Sequence, residues 1–93
     1  MATSARPTPF AAGVLVSHAG YYVGYSLRET AGAVATVRLW NNASAASGTL
    51  VATIALVASA SRDFAVPDDG VWFDLGLFVE VVAGTVEGAI YLG

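Results

Sequence analysis

Apolar and polar residues alternate along much of the chain with a period of two, the period of a strand with one buried face. Tyr21 to Glu29 shows it most cleanly: Tyr21, Val23, Tyr25 and Leu27 share one side, and Tyr22, Gly24, Ser26 and Arg28 share the other. Ala35, Val37 and Leu39 oppose Val34, Thr36, Arg38 and Trp40 in the same way. Further strands are predicted over Ala11–Ser17, Thr49–Val57, Arg62–Val66, Leu75–Val82 and Thr85–Leu92, with a brief pairing segment at Val71–Phe73. Between them lie Ala19-Gly20, Thr30–Gly32, the loop Asn41–Gly48, a weaker break at Ser59–Ser61 and the turn Pro67-Asp68-Asp69-Gly70. Ala83-Gly84 has the spacing of a hairpin joining the last two strands. No stretch keeps a helical period, and the alanines of 43–46 are too few and are flanked by Asn and Gly.

Seven or eight short strands spaced about 8–12 residues apart predict a single all-β domain, an antiparallel β-sandwich (jelly-roll-like) or a small barrel. Residues 10–93 form that domain. Met1 to Pro9, with two prolines and nothing to pack, reads as an extended N-terminal arm.

Several strands are apolar on both sides, and this is the least ordinary feature of the pattern. Leu50, Ala52, Ile54 and Leu56 are backed by Val51, Ala55 and Val57, and Leu77, Val79 and Val81 by Phe78, Glu80 and Val82. In a two-layer domain one side of each sheet faces outward, where polar residues are expected at alternate positions. Composition points the same way. Ala, Val, Ile, Leu, Met, Phe, Trp and Gly make up 58 of 93 residues, or 62%, against about 45–50% in ordinary domains. Eighteen of these are alanine, which drives little burial, so the large outward residues Tyr22, Trp40 and Phe78 carry more of the meaning. They predict a permanent assembly, homo-oligomeric or on a larger scaffold. Arg6 and Phe10 in the arm and Arg38 among the outward residues complete the expected partner interface.

Charge narrows the partners. Four arginines and no lysine stand against seven acidic residues, for a formal net charge of -3. Four scattered cations make no basic stripe for a phosphate backbone, so no nucleic acid is expected. The longest apolar stretch, Leu50–Ala58, falls far short of the ~20 residues of a membrane helix, and Phe10–Val16 is too short for a secretory core.

Candidate chemistry is sparse. Without cysteine there is no disulfide or thiolate site, and one histidine, His18, cannot build a zinc site. His18 neighbours Ser17, but adjacent strand residues point to opposite faces, and no G-x-S-x-G accompanies them. Asp68, Asp69 and Asp74 lack the spacing of a calcium loop. Glu80 and Glu87, on neighbouring strands, could face one another as glycosidase carboxylates do, yet they fit better as solvated residues that discourage edge pairing. No catalytic residue, metal or cofactor is expected.

The run Val37-Arg38-Leu39-Trp40-Asn41-Asn42-Ala43-Ser44-Ala45-Ala46-Ser47-Gly48-Thr49-Leu50-Val51-Ala52-Thr53-Ile54 resembles small virion proteins of tailed bacteriophages. In those, a strand ending in an aromatic leads through an Asn/Asp-Ser-Ala-Ser-Gly-Thr loop into an apolar strand. Gly76-Leu77-Phe78-Val79-Glu80-Val81 with Gly84-Thr85-Val86-Glu87-Gly88 resembles their closing hairpin. The likeness runs from about Val14 to Tyr91, and Asn41-Asn42 stands where an acidic residue is common. It implies a capsid decoration (cement) protein on the outer head surface, made in the host cytoplasm and bound to the major capsid protein or another virion protein. It also implies a homo-oligomer, with a trimer favoured. A tail or head-fibre accessory protein is the near alternative. A carbohydrate-binding module is the distant one, which a flat row of Trp40, Trp72 and Tyr22 would support.

Overall fold

A computed structural model describes residues 6–66 and 70–93. Nine strands form: β1 (Arg6–Pro9), β2 (Gly13–Val16), β3 (Gly20–Glu29), β4 (Ala35–Asn41), β5 (Thr49–Leu56), β6 (Ser61–Ala65), β7 (Val71–Phe73), β8 (Leu77–Ala83) and β9 (Val86–Leu92). They build two antiparallel sheets. The five-stranded sheet runs β1-β9-β3-β6, with short β7 also on β3, and the four-stranded sheet runs β2-β8-β4-β5. The antiparallel pairs β1·β9, β2·β8, β3·β6 and β4·β5 are those of an eight-stranded jelly roll, with β7 added. The sandwich expected from the alternation is the fold observed.

The core lies between the sheets. Tyr25, Leu27, Phe73, Ile90 and Leu92 of one meet Val37, Leu39, Ile54, Leu56, Leu77 and Val79 of the other. At ~25 cal/mol per Å² of apolar surface, this layer is the main term holding the sheets together.

Four expectations are corrected. The extended N-terminal segment joins the fold from Arg6 onward, because β1 pairs with β9. The sequence hid this strand behind its prolines, yet an edge strand tolerates proline where the nitrogen faces solvent. Phe10 donates its backbone N–H to Gly88 and packs against the core, so Pro7 and Pro9, of opposite parity, turn their nitrogens away from β9.

The second correction concerns β3. A register shift against β9 between Tyr22 and Gly24 breaks the alternation, so Tyr22 faces inward together with Tyr25, Leu27 and Glu29. Gly24 makes the bulge possible: its φ is +153°, and a Cβ there would lie 2.2 Å from the Phe64 carbonyl oxygen. Tyr22, expected outside, is 2% exposed. Burial, with Tyr25 alongside, pushes its hydroxyl pKa up.

Third, Ala83-Gly84 is no hairpin. It carries the chain from the four-stranded sheet to the five-stranded one. Glu80 and Glu87 therefore lie on the two opposite outer faces, and the facing pair does not exist.

Finally, β5 carries a bulge. Leu39 pairs with Ala52 but Trp40 pairs with Leu50, leaving Val51 as the extra residue. Leu50 is thereby turned out and exposed, while Val51 is half-buried against the core.

Candidate partner-binding face

The four-stranded sheet places large apolar side chains in one row across its outer face. Val14 of β2 sits opposite Phe78 of β8, Phe78 opposite Trp40 of β4, and Trp40 opposite Leu50 of β5. Opposed residues in antiparallel strands share a face, and three strand spacings make the row roughly 14 Å long. The row points outward because Leu39, Leu77 and Val79, its sequence neighbours, are fully buried inside. Val82 on β8 and Val57 just past β5 add exposed apolar surface, Val57 at 69% exposure.

One small polar network interrupts the face. Trp40 donates its Nε1–H to Glu80 Oε1 at 3.1 Å, and Arg38 Nη1 lies 3.9 Å from the same oxygen. Arg38 and Glu80 pair across β4 and β8 in register, so the face holds one cation and one anion with no net charge between them. The indole is held by that bond and by its two apolar cross-strand neighbours, Phe78 and Leu50.

Below the row, the Asn41–Gly48 loop is built by its two asparagines. Asn42 Oδ1 accepts the N–H groups of Ser44 (2.8 Å) and Ala45 (3.0 Å), and its Nδ2 donates to the Ser47 carbonyl at 3.1 Å. An aspartate could accept the first two bonds but could not donate the third, so Asn suits this loop. Asn41 donates to Asp74 at 2.8 Å and accepts the Leu75 N–H at 3.0 Å, which ties the approach to β8 to the end of β4.

At the other end of the sandwich Glu29, the last residue of β3 in the five-stranded sheet, serves as an anchor that sequence reasoning passed over. It is 2% exposed. Its carboxylate accepts N–H groups from Ala31, Gly32, Ala33 and Ser59 at 2.8 to 3.0 Å, joining the β3–β4 turn to the β5–β6 turn. The Ser59 N–H, then those of Ala31, Ala33 and Gly32, hold its pKa down to about 2 against the opposing effect of burial. The available signal was an acid ending a strand just before the small residues Thr30-Ala31-Gly32-Ala33, whose amides need an acceptor.

Of the residues expected at a partner interface, Arg38, Trp40 and Phe78 come together on this face. Tyr22 is in the core, Phe10 packs on the core, and Arg6 lies on β1 beside a cavity of about 290 Å³ that His18, Phe73 and Gly93 also line. Val14 and Leu50 complete the row and were missed, because their positions depend on strand pairing. Trp40, Trp72 and Tyr22 form no common row. Trp72 is 54% exposed on the five-stranded sheet, 5.0 Å from the Tyr21 ring. His18 is exposed, its ring nitrogen 2.9 Å from the Ala19 carbonyl. Asp68 and Asp69 lie outside the described residues. Among the described residues, no three of His, Asp and Glu gather as a metal site would need.

No protein-family model matches the chain, and neither a curated protein nor a solved structure matches it.

Proposed function

We propose that this chain is a structural virion protein, a capsid decoration protein that clamps the outer surface of a tailed-phage head. The observation that carries the reading is the row Val14–Phe78–Trp40–Leu50 on an outer face that no other described element covers. The molecule measures 35 × 29 × 18 Å, so its broad side offers roughly 1000 Å² of footprint, enough for the about 800 Å² per partner of a stable interface. A thin slab with an apolar row across one broad side suits attachment to a shell. Jelly rolls recur in viral capsid domains, and the resemblance of the Val37–Ile54 segment to phage virion proteins favours the same class. Each copy adds modest energy at ~25 cal/mol per Å², and many copies across capsomer joints multiply it. The reading requires binding surfaces and no catalytic group.

Heat resistance of the particle tests this. Heads from a phage deleted for this chain should release DNA at a lower temperature than complete heads, and adding back the purified protein should restore them. Equal resistance of stripped and complete heads removes the cementing role.

A second reading draws on the exposed Trp72 beside half-buried Tyr21, since jelly rolls also serve as lectin domains. Glycan-array binding that Trp72→Ala abolishes would move the chain to that class.

A further inference from the structure

The free edges of the two sheets are not alike. β1 carries Pro7 and Pro9, so its outer edge lacks two donors. β2 has four residues and a bulge, and β6 has five and bears Arg62 and Asp63. β5 runs for eight residues, Thr49 to Leu56, with no charge and no proline. Its own bulge lies at Val51, and the uncharged, proline-free run Ala52–Leu56 beyond it is a template for another strand. Its backbone is oriented for this. The Ala55 carbonyl accepts an Arg62 Nη1–H at 3.4 Å, so it faces away from β4. Thr53, two residues back, turns its N–H and C=O the same way.

This edge borders an open groove of about 440 Å³ between the sheets, closed on its far side by β6 and β7. Tyr22, Tyr25, Ile54, Phe64, Val66 and Val71 line it. Phe64 is 49% exposed and stands 5.8 Å from the Tyr25 ring, an aromatic wall with one side open. Among the described residues Arg62 is the sole charged side chain in the lining, and no carboxylate lies within ion-pair distance of it. Its bond to Ala55 is at the long end of the hydrogen-bond range. A guanidinium N–H thus occupies the place that the backbone N–H of an added strand would take.

We infer that this groove receives an extended segment of another protein by strand addition to β5. The segment pairs with Thr53 and Ala55, sets alternate apolar side chains into the groove, and brings a carboxylate to Arg62. Charge complementarity selects this occupant over a second copy. Among the described residues, paired β5 strands would bring a second Arg62 and no acid to the seam, because neither β5 nor the described groove lining contains one. The site is separate from the apolar row, and it stands whether or not the partner of that row is a capsid.

Two blocked peptides test the inference with the full chain: acetyl-Ser-Val-Thr-Val-Glu-Val-Ser-amide and its counterpart with Lys in place of Glu. The Glu peptide should slow amide hydrogen exchange at Thr53 and Ala55, and it should bind about tenfold more tightly than the Lys peptide. Arg62→Ala should erase that preference. Ala55→Pro, which removes an outward N–H as Pro7 does in β1, should abolish the protection of Thr53. Equal binding of the two peptides by the unmodified chain overturns the inference, as does no protection by either at millimolar concentration. Protection that rises with protein concentration alone, accompanied by dimer sedimentation, also overturns it and assigns the edge to a second copy.

Discussion

The two sheets share one core but differ on the sides turned away from it. The outer face of the five-stranded sheet is polar through its middle: Ser26 donates to Asp63, and Arg28 meets Glu87 at 2.8 Å with both side chains about 60% exposed. At the corresponding positions the four-stranded sheet has Phe78, Trp40 and Leu50 around one Arg38–Glu80 pair. Water satisfies the middle of the first face, and its one large exposed aromatic, Trp72, sits at the end of the face beside Tyr21. The second leaves large apolar side chains against water, where each would gain from a covering surface. Inner positions are apolar in both sheets apart from Glu29 at one end, so burial inside the protomer cannot account for the difference. The asymmetry therefore marks the side on which a partner is expected.

The core should dominate stability, and this sets the scale for both outer faces. Leu39→Ala removes a fully buried side chain between the sheets, and it should lower the unfolding free energy by about 2–5 kcal/mol in urea titrations. An acid-dependent effect belongs to the end that joins the sheets. The Glu29 carboxyl titrates at about 2 in the fold and at an ordinary 4.5 without it. Its contribution is therefore fully present above pH 4.5 and is lost as pH falls toward about 2. Glu29→Gln should flatten that acid limb in urea midpoints taken between pH 6 and 2, while an unchanged limb would show that other carboxylates set it.

The outer faces come next. Phe78→Ala removes a half-buried cross-strand partner of Trp40 and Val14, and it should cost no more than about 1 kcal/mol of stability while abolishing assembly. A loss on the scale of Leu39→Ala would mean that Phe78 serves the protomer's own packing and would break the comparison. Arg28→Ala should change stability least, by under about 0.5 kcal/mol, since exposed ion pairs contribute little. It should leave assembly intact.

Much of this was legible in the alternation. Leu27, Val37, Leu39, Leu77 and Val79 fall in the core where a period of two places them, and β3 through β9 form close to their expected bounds. The failures have common physical causes. A bulge inverts every side chain beyond it, and the sequence marks the one in β3 with Gly24 but the one at Val51 with nothing. Tyr22 moved inside and Leu50 outside for that reason. A tight turn does not say whether its two strands pair or part, so Ala83-Gly84 read as a hairpin although it crosses between sheets. The row on the outer face was half legible: Trp40 and Phe78 stood out as aromatics on a second face. Val14 and Leu50 gained their meaning only from the pairing of four strands.

For the proposed capsid role, attachment of single variants to phage heads that lack this protein is the most direct test. Phe78→Glu, with its circular dichroism unchanged, should fail to bind, while Arg28→Glu on the opposite face should bind as the unmodified chain does. Normal attachment of Phe78→Glu, or loss confined to Arg28→Glu, would contradict the assignment of the Val14–Leu50 row as the bound surface.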